Sequence, residues 1–270
     1  MTTGTGISSI RPLPPAHGVT TGRSTNILCV ASGKGGVGKT WLAITLSHML
    51  AKGGARTLLF DGDLGLANVD VQLGLMPEQD LGGVIAGRIV LADAVTRFPA
   101  GGFDVIAGRS GSGILATLDP PRLVALRDDL LGLARQYGHV VLDLGAGVDG
   151  TVRLLADAAA TLVVVTTDEP TALTDAYAFI KLMAMQNRDL DFRIVVNMAG
   201  SARDGERTYA KLLRACEGFL KLSPKLGGVI RRDDKVRDSI RHQTSLLVRH
   251  PTSGAAADVE ALADRLGAAG

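Results

Sequence analysis

Residues 31–40 read ASGKGGVGKT, and the organisation of the rest of the chain follows from how they are read. Before them stands an apolar run, Asn26-Ile27-Leu28-Cys29-Val30, that reads as a buried strand. After them, residues 41–52 read WLAITLSHMLAK, with apolar residues at helical spacing. Gly33, Gly38, Lys39 and Thr40 fit G-x-x-x-x-G-K-[ST], and strand, loop and helix are the context that pattern requires. Gly33, Gly35, Gly36 and Gly38 allow tight turns that bring bare N–H groups against phosphate oxygens. A helix beginning near Thr40 points its positive end at the same anion. Lys39 is expected along the β- and γ-phosphates and the Thr40 hydroxyl on Mg²⁺. Val37 and Trp41 complete the expected nucleotide-binding stretch. The competing reading, a glycine-rich turn that matches by chance, does not account for the flanking strand and helix.

Outward from this loop, strands and helices alternate. Residues 57–60 read as a second strand closing at Asp61-Gly62-Asp63. Residues 78–98 carry two short amphipathic pieces, 103–107 a third strand, and a glycine/serine loop runs to Gly113. Pro120-Pro121 opens a helix to about Tyr137. Apolar strands follow at 139–144, which carries Asp143, at 161–166 and at 192–197. Helices are expected at 171–187, 204–216, 233–241 and 255–267, with two short strands near 219–222 and 227–230. Continuous apolar strands alternating with helices predict an α/β fold: one domain, a mostly parallel twisted sheet, helices on both faces. Ligands in such sheets bind beyond the carboxyl ends of the strands, where the marked residues fall. Residues 25–270 read as that domain, and 1–24, rich in Thr, Gly, Ser and Pro, as a disordered arm.

Composition narrows the class. The 270 residues suffice for one large α/β core, and a net charge of +2 is too small to argue for nucleic acid. Cys29 and Cys216 make no disulfide framework or cluster site, and Cys29 reads as a small core residue. His17, His48, His139, His242 and His250 lack metal-ligand spacing. Residues 1–24 lack the apolar core of a secretory signal, and no apolar run approaches 18 residues. A cytoplasmic location is expected. Arg231, Arg232, Lys235, Arg237 and Arg241 cluster with interspersed acids, as a solvated helix face does.

The acids at the strand ends carry the remaining chemistry. Asp143 is placed as the Mg²⁺-side acid of a phosphate-loop NTPase, acting through a water because Mg²⁺ keeps several. Capping of the following helix is the bland alternative. Asp61 and Asp63 close the second strand, where an acid beside a γ-phosphate suits a general base and Asp-Gly also suits a plain turn.

Lys34, directly after the first glycine, makes Lys-Gly-Gly-Val-Gly-Lys-Thr, which resembles the deviant phosphate loop of MinD/ParA ATPases. Four stretches narrow the likeness to the flagellar branch, the FlhG (FleN, YlxH) group: 63–70 (DLGLANVD), 143–147 (DLGAG), 169–178 (EPTALTDAYA) with Lys181, and 228–230 (GVI) followed by Asp233, Val236 and Gln243. Together they span nearly all of 26–250. The resemblance implies a slow, Mg²⁺-dependent ATPase that cycles between ATP and ADP and closes a face-to-face homodimer on ATP. It implies that Lys34 reaches the partner subunit's nucleotide, that Asp63 orients the attacking water, and that Asp61 helps hold the metal shell. The implied metal set is Thr40, Asp61, Asp63 and Asp143. Asn197 would contact adenine, with the backbone around Arg231 and Asp233 flanking the base. Implied partners are an FlhF-type GTPase and flagellar switch-complex proteins, and the protein would regulate the number or placement of flagella. Location at the inner membrane or cell pole would follow the group.

Three departures stand against full equivalence. Arg231 replaces the usual proline after Gly-Val-Ile, residues 1–24 contain no Asp-Gln-Ala-x-x-Leu-Arg segment, and the Ala-rich last helix lacks the basic, bulky character of a membrane anchor. Two rival readings share the engine: a ParA-like DNA-partitioning ATPase, which needs a basic surface, and a metabolic phosphate-loop enzyme, which needs a small substrate.

Overall fold

A computed structural model describes residues 24–108 and 119–267. The expected arm lies outside these residues, apart from Ser24, as does most of the glycine/serine loop that follows the third strand. Eight strands form one sheet: β1 (Ser24–Ser32), β2 (Thr57–Gly62), β3 (Thr96–Phe98), β4 (Phe103–Ile106), β5 (His139–Ala146), β6 (Ala159–Thr166), β7 (Asp191–Ala199) and β8 (Lys225–Arg231). Their order is β3-β4-β2-β5-β1-β6-β7-β8. Every pairing is parallel except β3 with β4.

The central strands are apolar on both faces because both faces are covered. Leu58, Leu59, Phe60, Val140, Val141, Leu142 and Val163 are fully buried. On one face, α1 (Lys39–Lys52) and α10 (Gly254–Gly267) pack with Leu28, Val30, Leu59 and Val141. On the other, α4 (Pro120–Ala134), α5 (Gly150–Ala156), α6 (Pro170–Gln186) and α7 (Ala202–Ala215) pack with Ile27, Phe60, Leu142 and Val164. β1 lies between β5 and β6, so the loop after it opens at the middle of the carboxyl edge. Asp61 on β2 stands in register with Asp143 on β5, and Asp143 with Val30 on β1.

The expected strand near 219–222 is not formed. Residues Cys216–Leu220 instead continue α7 as a π-helical turn, and Lys221 closes it at φ 56°. The short apolar run Phe219-Leu220-Lys221-Leu222 is taken up by the end of the preceding helix. The expected strand at 227–230 is the inner part of β8. Four further short elements form: α2 (Val69–Leu73), α3 (Leu81–Ile85), α8 (Asp234–Arg241) and α9 (Leu246–Arg249). Of these, α8 is the helix expected over 233–241, and α3 with the 3-10 turn Leu91–Ala94 accounts for the two amphipathic pieces. The edge strand β3, α2, α5 and α9 are additions to the expected order.

Candidate functional site

The loop from Gly33 to Gly38 is tied from several sides. Ser32, the last residue of β1, is fully buried; its hydroxyl donates to the Lys34 carbonyl (2.6 Å), and its own carbonyl accepts from the Gly147 N–H (3.0 Å). Gly33 lies so close to α6 that a Cβ there would stand 2.1 Å from the Asp175 carbonyl oxygen. Gly36 and Gly38 sit at φ 81° and 88°, in the left-handed region that glycine enters without steric cost. The first bond of the α1 ladder is Leu42 N–H to the Gly38 carbonyl (3.0 Å). The amides of Lys39, Thr40 and Trp41 therefore precede the ladder and face the loop's concavity as free donors of a helix N-terminus. Trp41 takes part through its backbone: its side chain is buried among the core residues beneath the sheet.

Beside this cradle lies an acid pocket. Asp143 is buried, and neither carboxylate oxygen has a hydrogen-bond partner among the described residues. Burial raises its pKa well above the usual carboxylate range; the adjacent Thr40 hydroxyl and Lys39 ammonium oppose that rise, and the Asp63 charge adds to it. A buried carboxylate with two unengaged oxygens, next to a threonine hydroxyl and a phosphate cradle, fits a hydrated Mg²⁺. The fit is to a site completed by substrate oxygens and waters. Among the described residues no group of three or more His, Cys, Asp or Glu forms a protein-only metal cage.

Asp61, expected to help hold the metal shell, is bonded to the backbone that follows it. One oxygen accepts from the Asn68 and Val69 N–H groups (3.1 Å each), the other from the Asp63 N–H (3.3 Å). Its lone pairs serve the backbone of 63–69 and the start of α2. Burial and the Asp143 charge push its pKa up, and the backbone donors partly restrain it. Asp63 is half-buried; its carboxylate accepts from the Leu66 N–H (3.0 Å). It also lies against Gly145, where a Cβ would stand 3.3 Å from its oxygen.

Four further expected residues are engaged within the chain. The Lys34 ammonium donates to the Glu169 carboxylate (2.8 Å) and the Thr171 hydroxyl (2.9 Å) at the start of α6. Arg231 makes a forked ion pair with Asp258 of α10 (2.8 Å at its closest) and so points to the last helix. The Asp233 carboxylate accepts from the Lys235 N–H (3.0 Å) at the start of α8 and from the Ala255 N–H (3.2 Å) at the start of α10. Asn197 is buried at the end of β7, and its amide donates to the Val37 carbonyl (2.8 Å). Ser32, Glu169, Thr171 and Asp175 lie at the site although sequence reasoning, which quoted their stretches, gave them no individual role. The signals were Ser32 as a hydroxyl inside the motif and the 169–178 stretch that carries the other three.

The profile of the CobQ/CobB/MinD/ParA nucleotide-binding domain (CbiA) matches residues 28–246. The chain is 37% identical over 240 residues to the antiactivator FleN of Pseudomonas aeruginosa, across 89% of this chain and 85% of that protein. It is 32% identical over 194 residues to the flagellum site-determining protein YlxH of Helicobacter pylori, across 72% of this chain and 65% of that protein. The septum site-determining protein MinD of Pyrococcus horikoshii, solved with Mg-ADP, superposes with a TM-score of 0.76 at 25% identity, covering 90% of this chain and 96% of that one. With the profile spanning the cradle, Asp143 and Asn197, and with FleN matched along nearly the whole fold, the chain belongs to the MinD/ParA nucleotide-binding family, in its FleN/FlhG branch.

Proposed function

We propose that this protein is an Mg²⁺-dependent ATPase whose ATP-bound form dimerises and which regulates the number or placement of flagella. The observation that carries the chemistry is the pairing of a preformed phosphate cradle with Asp143, a buried acid whose oxygens await a ligand. In this reading the amides of the loop and of the α1 N-terminus hold the phosphates, and Lys39 neutralises charge on the β- and γ-groups. Thr40 and Asp143 would hold Mg²⁺, which supplies charge neutralisation at the phosphate oxygens. Asp63 is the candidate to orient the attacking water and accept its proton. Asp61 acts through the backbone it caps, keeping Asp63 in place.

Lys34 starts the cycle paired with Glu169 and Thr171 and would exchange them for the partner's nucleotide when two copies close. The flagellar part rests on the FleN and YlxH relatives. An FlhF-type GTPase, flagellar switch-complex proteins and a station at the cell pole or inner membrane are the partners and place that go with it. No helix among the described residues is long and apolar enough to cross a membrane. The test is ATP turnover with no added small substrate, together with solution mass in a slowly hydrolysed ATP analogue. Lys39→Ala should cut turnover by about 10²–10³. Lys34→Ala should keep nucleotide binding and lose the dimer. A mass unchanged by the analogue, or turnover requiring a second small substrate, overturns the reading. A deletion strain with normal flagellar number and placement overturns its cellular half.

A further inference from the structure

The peptide between Val37 and Gly38 sits in the middle of the cradle, with the Val37 side chain buried in the core on one side of it. Gly36 and Gly38 lie on either side of Val37, at φ 81° and 88°. Glycine crosses between backbone wells at low cost, so even with the Val37 side chain buried the plane of this peptide is weakly specified by the loop itself. Asn197 fixes it. Its side-chain amide donates to the Val37 carbonyl at 2.8 Å, in a buried contact between residues 160 apart in sequence. The Asn197 oxygen accepts from the Met198 N–H (2.9 Å), which settles which end of the amide faces the loop. Met198 adopts φ 56°, a left-handed conformation uncommon outside glycine, to present that N–H. The fit against the loop is tight: a Cβ on Gly38 would stand 2.4 Å from the Asn197 amide nitrogen.

A trans peptide is planar, with its C=O and N–H pointing opposite ways. Holding the Val37 carbonyl on the Asn197 side therefore turns the Gly38 N–H to the other side. We infer that Asn197 is a positioning residue for the phosphate loop: by pinning the Val37 carbonyl it aims the Gly38 amide at phosphate, and so it sets affinity for the triphosphate whatever base the ligand carries. This goes beyond a contact with adenine and rests on the reading of 33–40 as a phosphate cradle.

The two roles separate by ligand. Binding of Mg-ATP and of Mg-tripolyphosphate, which has no base or sugar, is measured by calorimetry on the full chain and on Asn197→Ala and Asn197→Asp. Removing a buried donor and leaving its carbonyl unpaired should weaken both ligands by about tenfold, and by a similar factor. Asn197→Asp keeps the shape and the acceptor for Met198 but turns a carboxylate toward the Val37 carbonyl, so it should lose at least as much. It carries the test if the alanine variant does not fold. Hydrogen exchange should quicken in 33–40 while β7 amides stay protected, which a general loss of structure would not produce. A loss confined to ATP, or no loss for either ligand, overturns the inference. Failure of the unaltered protein to bind either ligand would overturn the cradle reading instead.

Discussion

In the loop between β1 and α1, the Lys34 carbonyl accepts from Ser32, the Val37 carbonyl from Asn197, and Gly33 is pressed against α6. On the adjacent strand β5, both oxygens of Asp143 are buried with no hydrogen-bond partner among the described residues. The first region is finished before any ligand arrives; the second is left incomplete at a cost to stability. The difference separates two tasks. Shaping a phosphate cradle demands precise amide directions, which protein–protein hydrogen bonds set in advance. Holding a hydrated cation demands free lone pairs, which such bonds would consume.

The contrast breaks or sharpens most strongly at Asp143. Asp143→Asn should lower ATP turnover by about a hundredfold or more, while making the nucleotide-free protein harder to unfold at pH 8. The sign follows from the raised pKa. In the folded protein Asp143 holds its proton to higher pH than in the unfolded chain, so its contribution to stability falls as pH rises from the ordinary carboxylate range through the raised value. The gain in melting temperature should thus be present at pH 8 and shrink toward pH 4. A variant that melts lower than the unaltered protein at pH 8 would show that Thr40 and Lys39 outweigh the cost of burying Asp143.

Measured at pH 5, below the value of about 8 to which burial raises Asp61, so that no buried charge enters, Asp61 gives a smaller and opposite effect. Its carboxylate serves three backbone N–H groups, so Asp61→Ala should destabilise the fold by about 2 kcal/mol in urea unfolding. Asp61→Asn, which keeps acceptor oxygen, should lose less. Equal losses in the two variants would argue that capping is not what Asp61 does. The smallest effect is at His48, distant in role from both regions. Its ring accepts or shares a proton with the Ser245 hydroxyl (2.7 Å), and burial, with the Lys52 charge second, lowers its pKa to about 4. The unfolded chain takes up this proton near pH 6.5 and the folded chain only near 4, so stability from His48 is lost as pH falls across that window. His48→Gln should flatten the melting-temperature slope between pH 6.5 and 4 relative to the unaltered protein; an unchanged slope would remove His48 as its source.

What sequence alone made legible follows the range of the forces involved. The strands carrying Ser32, Asp61, Asp143 and Asn197 announce themselves as apolar runs, because burial on both faces leaves no room for polar alternation. The motif residues 33–40 are contiguous and were readable as a set. Hidden were the contacts between distant positions: Asn197 with Val37, Lys34 with Glu169, and the cap that Asp61 gives to α2. The five-residue helix α2 owes its start to a carboxylate eight residues upstream, which no local propensity records. The error at 219–222 comes from a short apolar run, which periodicity alone does not assign to strand or helix and which here ends α7 as a π-helical turn.

The last helix has a consequence for any tether. Arg231 grips Asp258, Asp233 receives the Ala255 amide, and six side chains of α10 from Ala255 to Leu266 are sealed beneath the sheet. A lipid or protein that pulled these fourteen residues away would strip a flank from the fold and release the Arg231–Asp233 segment along with it. Displacing α10 would bare Ala255, Ala256, Val259, Leu262, Ala263 and Leu266 together.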